Sequence, residues 1–277
     1  MRLLKKRGSD LTSGQRPAAM TVADLSAAGR NQVPLGIAYM VGSTAMFAGG
    51  NAVVKWQLAT YPLGEVGRTL FAFLTVAAIV LPRTGWGVLR TRRYREHLQR
   101  GLSQFGSMLC WLLAVSVLSL GSATAIGFAA PLFTTLLSIV ILKEQVGIHR
   151  WSALIVGFVG VLINTHPGAG TLTYGALFAL ANAVLISTVA IAIRRMSMTE
   201  SPETLTLYQM IIMTLFLLAL GFRAPHWSDA LMVALAGVSN GIAQFWWTRS
   251  LSLAPPSAVV PFNYLSLIWA TILGFVV

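Results

Sequence analysis

The chain is short of most of what a soluble enzyme uses to do chemistry. Only 10% of its 277 residues are charged, against about a quarter in ordinary soluble proteins, and just eight residues are acidic. The single cysteine, Cys110, lies inside a long apolar run, which excludes a disulfide framework and a thiolate metal cluster. The four histidines, His97, His149, His166 and His226, sit in flanks or connections, and no HExxH, CxxC or glycine-rich phosphate loop accompanies them. No Asp, Glu or His stands deep within an apolar run, so the sequence gives little support to a buried proton carrier. Ser, Asp and His are not placed together for intramembrane proteolysis, and the charged ring or continuous filter of a channel is missing. No enzyme activity, cofactor or metal is expected.

What the chain has is hydrophobic length. Apolar residues make up 56% of it, with a mean hydropathy of +0.72. They form nine runs, beginning near Leu35, Gly64, Gly101, Ser122, Trp151, Leu172, Leu205, Ala230 and Ser257. A helix needs roughly 20 such residues to cross a bilayer, where its backbone groups must be satisfied internally. The expected fold class is an all-α polytopic membrane protein.

The net charge of +12 is a topology signal rather than a nucleic-acid footprint, because of where it lies. Six Lys or Arg precede the first span and six separate the second from the third (Arg83, Arg90, Arg92, Arg93, Arg95, Arg100). With Lys143, Arg150, Arg194, Arg195 and Arg249, seventeen of twenty fall on one side, leaving Lys55, Arg68 and Arg223. The positive-inside rule puts that side, and the N-terminus, in the cytoplasm, where the basic segment 90–100 meets anionic lipid. Membrane lipid is therefore an expected partner and nucleic acid is not. Residues 1–33 lack an apolar h-region, so no cleavable signal peptide is evident, and they are expected to form a cytoplasmic tail.

An internal repeat organises the rest. Leu118-Ser119-Leu120-Gly121-Ser122-Ala123-Thr124-Ala125 is echoed by Leu251-Ser252-Leu253-Ala254-Pro255-Pro256-Ser257-Ala258, and Gly36 through Lys55 resembles Gly175 through Arg194. The halves are expected to be 34–166 and 167–277. Five spans per half is an odd number, so the copies must lie upside down relative to each other, a design associated with alternating access around a midplane site. The same symmetry calls for a tenth span after Val277, so the chain is expected to be truncated.

Several of these residues resemble the drug/metabolite transporter superfamily in its EamA-type branch. They are Tyr61-Pro62-Leu63-Gly64-Glu65-Val66-Gly67-Arg68, Gly121-Ser122-Ala123-Thr124-Ala125 through Pro131, the exit Leu142-Lys143-Glu144, and the second copy at Ser257-Ala258. The resemblance covers the chain from about residue 35 onward, and implies an integral inner-membrane carrier of small metabolites in two inverted five-helix repeats around a central cavity. Within the branch, the chain looks most similar to bacterial exporters of the aromatic amino acid type.

Polar residues inside spans mark the candidate site, since each must find a partner, water or a solute. Ser43, Phe47, Asn51 and Lys55 recur every fourth residue on one helical face. Asn240, Gln244 and Trp247 do the same at i, i+4 and i+7, joining two amides to an indole; Gln104, Ser107 and Trp111 are similarly spaced. Asn182 lies near the point symmetric to Ser43, and Asn263 and Tyr264 follow Ser257 and Pro261. The expected substrate-binding set is Phe47, Asn51, Gln104, Trp111, Asn182, Asn240, Gln244, Trp247, Asn263 and Tyr264. Packing of one helix against another remains the alternative for the small and amide residues, as does an interfacial belt for Trp246.

Glu65 and Arg68, three apart at the start of the second span, are expected to pair and to gate or couple, with Tyr208 in the symmetric region of the second half. Pro131, Pro255, Pro256 and Pro261 offer places for bending. Gly157 and Gly160 suit internal packing or a dimer contact. Exporters of lipophilic cations benefit from a membrane-embedded acid, and none is found here, which favours a zwitterionic or uncharged solute. The expected function is export of amino acids of broad type; the alternative is a carrier for a vitamin, a nucleoside-like solute or an aromatic drug. One monomer is expected to hold the complete pathway.

Overall fold

The computed structural model describes the backbone of residues 22–58, 64–118, 120–165, 174–219 and 227–276. Among these residues every regular element is helical, and the helices make nine passages. Those passages are α1 (Val22–Leu58), α2 (Gly64–Thr84), α3 (Tyr94–Val117), α4 (Leu120–Gly127) with α5 (Ala130–Leu142), α6 (Ile148–Thr165), α7 (Tyr174–Met196), α8 (Pro202–Ala219), α9 (Trp227–Leu253), and α10 (Pro256–Val259) with α11 (Leu265–Val276). Among the described residues, five stretches are long and apolar enough on their own to cross a membrane: Gln32–Gly50, Ser122–Leu142, Tyr174–Met196, Pro202–Ala219 and Ala230–Leu253. Helix α1 begins well before Leu35, because Val22–Gly29 is rich in helix-forming Ala and contains no Pro or β-branched run to stop it.

The fourth and ninth passages are broken, and proline is the cause. Pro131 has no N–H to donate to Gly127, so α4 ends there and α5 restarts at Ala130 with the proline in its first turn. The later passage starts at Pro256 and runs through a 3₁₀ stretch, Val260–Tyr264, that contains Pro261. Backbone carbonyls freed inside a membrane need new donors. Here the Tyr264 hydroxyl donates to Phe128 O at 3.3 Å.

Helices before residue 166 pack mainly against helices after it. The most extensive pairs are α1 with α9, α3 with α7, and α2 with α9. Small residues allow the approach. Ser250 Oγ donates to Gly36 O at 2.6 Å, Ser239 Oγ donates to Met46 O at 2.6 Å, and Gly42 lies under the ring of Trp246. Trp246 therefore stacks on α1, with Tyr39 edge-on at 6.4 Å, instead of serving only as an interfacial belt residue. Ser43 is fully buried and its hydroxyl returns to Met40 O of its own helix, the packing alternative for that residue. Gly157 accepts the ring of Tyr264, which is internal packing, whereas Gly160 has no atom within 4 Å of the position a Cβ would take. Outward faces carry Leu113, Val117, Val140, Val156, Ile163 and Leu215, all exposed, as lipid contact requires.

Candidate functional site: a cavity walled by aromatics and amides

A cavity of about 480 Å³ opens where the two broken passages face α1, α2, α3, α7, α8 and α9. Its aromatic walls are Phe47, Trp111, Phe128 and Trp247, and Met108, Met210 and Met213 add flexible, polarisable surface. Between them stand the amides Gln104, Asn182, Gln209, Asn240, Gln244 and Asn263, with hydroxyls from Thr44, Thr69, Thr124, Thr134 and Ser266. Amides both donate and accept, so such a lining can meet a solute's polar edge without carrying charge into the membrane. Among the described residues, Arg68 is the one charged side chain on the wall.

Eight of the ten expected binding residues, namely Phe47, Gln104, Trp111, Asn182, Asn240, Gln244, Trp247 and Asn263, come together on this cavity. The other two do not enter the description of it. The side chain of Asn51 lies outside the described residues, as do those of Lys55 and Glu65. Tyr264 is not on the wall: its ring fills the space above Gly157 and its hydroxyl caps Phe128 O, because the break before Pro131 left a carbonyl in need of a donor. Asn182 has a double role, since its Nδ2 donates to Ser107 O at 2.7 Å and Ser107 Oγ at 2.9 Å, clipping α7 to α3.

The expected gating residues also separate. Arg68 faces the cavity. Tyr208 does not; it belongs to the arginine-rich end, where its hydroxyl donates to Leu89 O at 2.8 Å and its ring stacks on His97 with centroids 4.3 Å apart. Its neighbour Gln209 points into the cavity instead. One residue along a helix rotates the side chain by about 100°, which separates the Tyr208 contact with Leu89 and His97 from the Gln209 position on the cavity wall. Gln209 was not among the residues expected on the cavity. The available signal was a lone amide in an apolar span, with Met213 four residues on along the same face.

At the arginine-rich end several hydrogen bonds join the two parts of the chain. The Arg100 guanidinium is fully buried and donates to Leu205 O. Thr204 Oγ1 donates to Val88 O at 2.8 Å, and Thr91 Oγ1 donates to Glu200 at 2.6 Å. Lys143, in a left-handed conformation at the end of α5, turns the chain so that Glu144 Oε2 accepts from Ser257 Oγ at 2.7 Å. Ser257 Oγ in turn accepts from Arg150 Nη1 at 2.8 Å.

His97, on the flank of the third passage, is 1% exposed and lies 4.0 Å from Glu200. Its pKa is lowered to about 4, first by burial and then by the nearby guanidinium groups of Arg100 and Arg93. Tyr208, Tyr94 and Glu96 are the other titratable groups around it. The unfolded chain binds this proton below pH of about 6.5, whereas the folded protein resists it until about 4. The stability His97 contributes is therefore complete above pH 6.5 and is lost as pH falls towards 4. Melting temperatures in detergent are expected to fall between pH 7 and 5, with a shallower slope in His97→Phe; equal slopes in the two proteins would rule out this residue as the source.

A sequence profile of the EamA-like transporter family matches residues 34–165 and again residues 173–277. The chain belongs to the EamA-like transporter family. As an EamA-like transporter it is a multi-pass membrane protein that moves small molecules, and not an enzyme. It is 28% identical over 213 residues to an S-adenosylmethionine uptake transporter of Rickettsia bellii, covering 74% of this chain and 72% of the relative. Riboflavin transporters are similarly related. That of Rhizobium johnstonii is 26% identical, with 84% and 80% covered, and that of Vibrio cholerae is 26% identical, with 87% and 84% covered. These relatives are named for S-adenosylmethionine and riboflavin rather than for aromatic amino acid export, which corrects the finer resemblance. A solved crystal structure of another protein shares the fold, with a TM-score of 0.74 at 20% identity over 88% of each chain.

Proposed function

We propose that this EamA-like transporter carries a planar heteroaromatic metabolite of vitamin or nucleoside type across the bacterial inner membrane by alternating access. The observation that carries this reading is the composition of the cavity wall, where Phe47, Trp111 and Trp247 supply flat surfaces and Gln104, Gln209, Asn240, Gln244 and Asn263 supply paired donors and acceptors. Flat rings stack on aromatic faces, and heterocycle edges present the donor and acceptor groups that amides complement. At about 480 Å³ the cavity is of ordinary ligand-pocket size, with more room than a single amino acid fills. The relatives named for S-adenosylmethionine and riboflavin, both of which carry fused heteroaromatic rings, support the same choice. In this reading the arginine-rich end is cytoplasmic, the segments before and after residue 166 are the two moving halves, and one chain suffices because it supplies every wall of the cavity.

The test is flux into proteoliposomes of riboflavin, S-adenosylmethionine, adenosine and a panel of amino acids. Saturable flux of one or more heteroaromatic solutes is expected, with Trp247→Ala lowering it at least tenfold, since that residue is 7% exposed and forms one of the flat walls. Flux of amino acids alone would return the function to amino acid export and sink this reading.

A further inference from the structure

Gln209 differs from every other amide on the cavity wall. It is 1% exposed, and among the described residues neither its Nε2 nor its Oε1 has a hydrogen-bond partner. A buried carboxamide with both ends unsatisfied is unusual, because native interiors pair such groups. By contrast, the Asn182 amide is occupied by Ser107. On the neighbouring helix α3, Gln104 Oε1 is also buried and has no partner among the described residues. Met210 and Met213, on the same helix as Gln209, give the site an apolar floor.

The geometry points to Gln209 as the specificity-determining residue of the cavity, reading the adjacent donor and acceptor atoms on the edge of a planar heterocycle. This rests on the heteroaromatic substrate proposed above. A primary carboxamide offers one N–H donor beside one C=O acceptor, and its complement is a ring edge with the same two groups in opposite order. A cyclic imide provides this with N–H beside C=O, and an aminopurine with its exocyclic N–H beside a ring nitrogen. The edge would take the place of the missing partners, while the aromatic walls hold the ring faces. A site that leaves a buried amide unpaired in the absence of the correct edge discriminates strongly against analogues that cannot fill it.

The experiment uses the full chain in detergent and titrates riboflavin, followed by quenching of flavin fluorescence, and adenosine, followed by calorimetry. Each probe has a blocked analogue, N3-methylriboflavin and N6,N6-dimethyladenosine, whose edge donor is removed. Gln209→Leu is expected to weaken binding of the recognised probe by about 10- to 100-fold. Methylation is expected to weaken binding to the wild type by a similar factor and to have little further effect on Gln209→Leu. Thr214→Val is the control, since Thr214 lies on the same helix, is buried with an unpartnered hydroxyl and does not line the cavity; its affinity should equal that of the wild type. Should Gln209→Leu misfold, the methylated probes against the wild type still decide the matter. Tight wild-type binding that is indifferent to both the substitution and the methyl groups overturns the role of Gln209 while leaving the heteroaromatic reading intact. No wild-type binding of either probe overturns both.

Discussion

Gly237→Ala is expected to push α2 and α9 apart and to destabilise the protein by about 1–3 kcal/mol, the usual cost of overfilling a tight contact. A Cβ at Gly237 would collide with Phe71 and come within 2.8 Å of Arg68 O, and one at Gly241, a turn later, would lie 2.8 Å from Ala72 O. These neighbours are largely backbone, so no rotamer change relieves the clash. Small residues one turn apart are how helices approach closely in membranes, where packing rather than the hydrophobic effect drives association. The function should suffer along with the fold. Arg68 and Thr69 on α2 line the cavity, as do Asn240 and Gln244 on α9, so separating the helices displaces two walls at once. A melting temperature several degrees below wild type and reduced flux from the folded remainder are expected for Gly237→Ala and Gly241→Ala. Gly160→Ala should behave as wild type, because nothing lies within 4 Å of its Cβ position. A Gly237→Ala protein that melts with the wild type would refute the close-packing account.

The second large effect concerns the arginine-rich end, which the alternating-access reading proposed above closes through the contacts between the two parts of the chain. Ser257 Oγ links two charged groups from a distant part of the chain, donating to Glu144 and accepting from Arg150. Hydrogen bonds to charged groups contribute about 1.5–3 kcal/mol each, and 1.4 kcal/mol is a tenfold change in an equilibrium. Ser257→Ala removes both bonds, about 3–6 kcal/mol together, with little loss of volume, so on the alternating-access reading it should shift the protein away from the closed arrangement by about a hundredfold or more. Spin labels at Gly147→Cys and Met198→Cys, both exposed at this end, would report the change in a Cys110→Ser background. A longer, broader distance distribution is expected in Ser257→Ala, along with a lower rate of flux, because a carrier that no longer closes one side cycles poorly. Glu144→Gln should act in the same direction and more weakly, since a neutral amide still accepts from Ser257. Unchanged distances and unchanged flux in Ser257→Ala would show that this contact does not hold the closure. The partly exposed ion pairs nearby, Arg93 with Glu96 and Arg249 with Glu203, are expected to matter little, because water reaches and screens them.

Helical passages, their number, and the breaks at Pro131 and at Pro256 to Pro261 were all legible in the sequence. Each depends on residues adjacent in the chain: run length, the missing N–H of proline, and the positions of arginines. The set of amides and aromatics that lines the cavity was also largely legible, because helical spacing puts Asn240, Gln244 and Trp247 on one face whatever surrounds them. Which of those faces a cavity and which satisfies a neighbouring helix was decided only in three dimensions. Tyr264 went to the carbonyl freed 136 residues earlier in the chain. Asn182 was partly taken by Ser107, 75 residues away. Tyr208 turned to Leu89 and His97, while Gln209, next to it, turned to the cavity. A polar side chain in an apolar span is bound to find a partner, and the sequence announces that need. The partner itself is set by how the helices cross and rotate against one another, a property of side chains distant along the chain that no local pattern records.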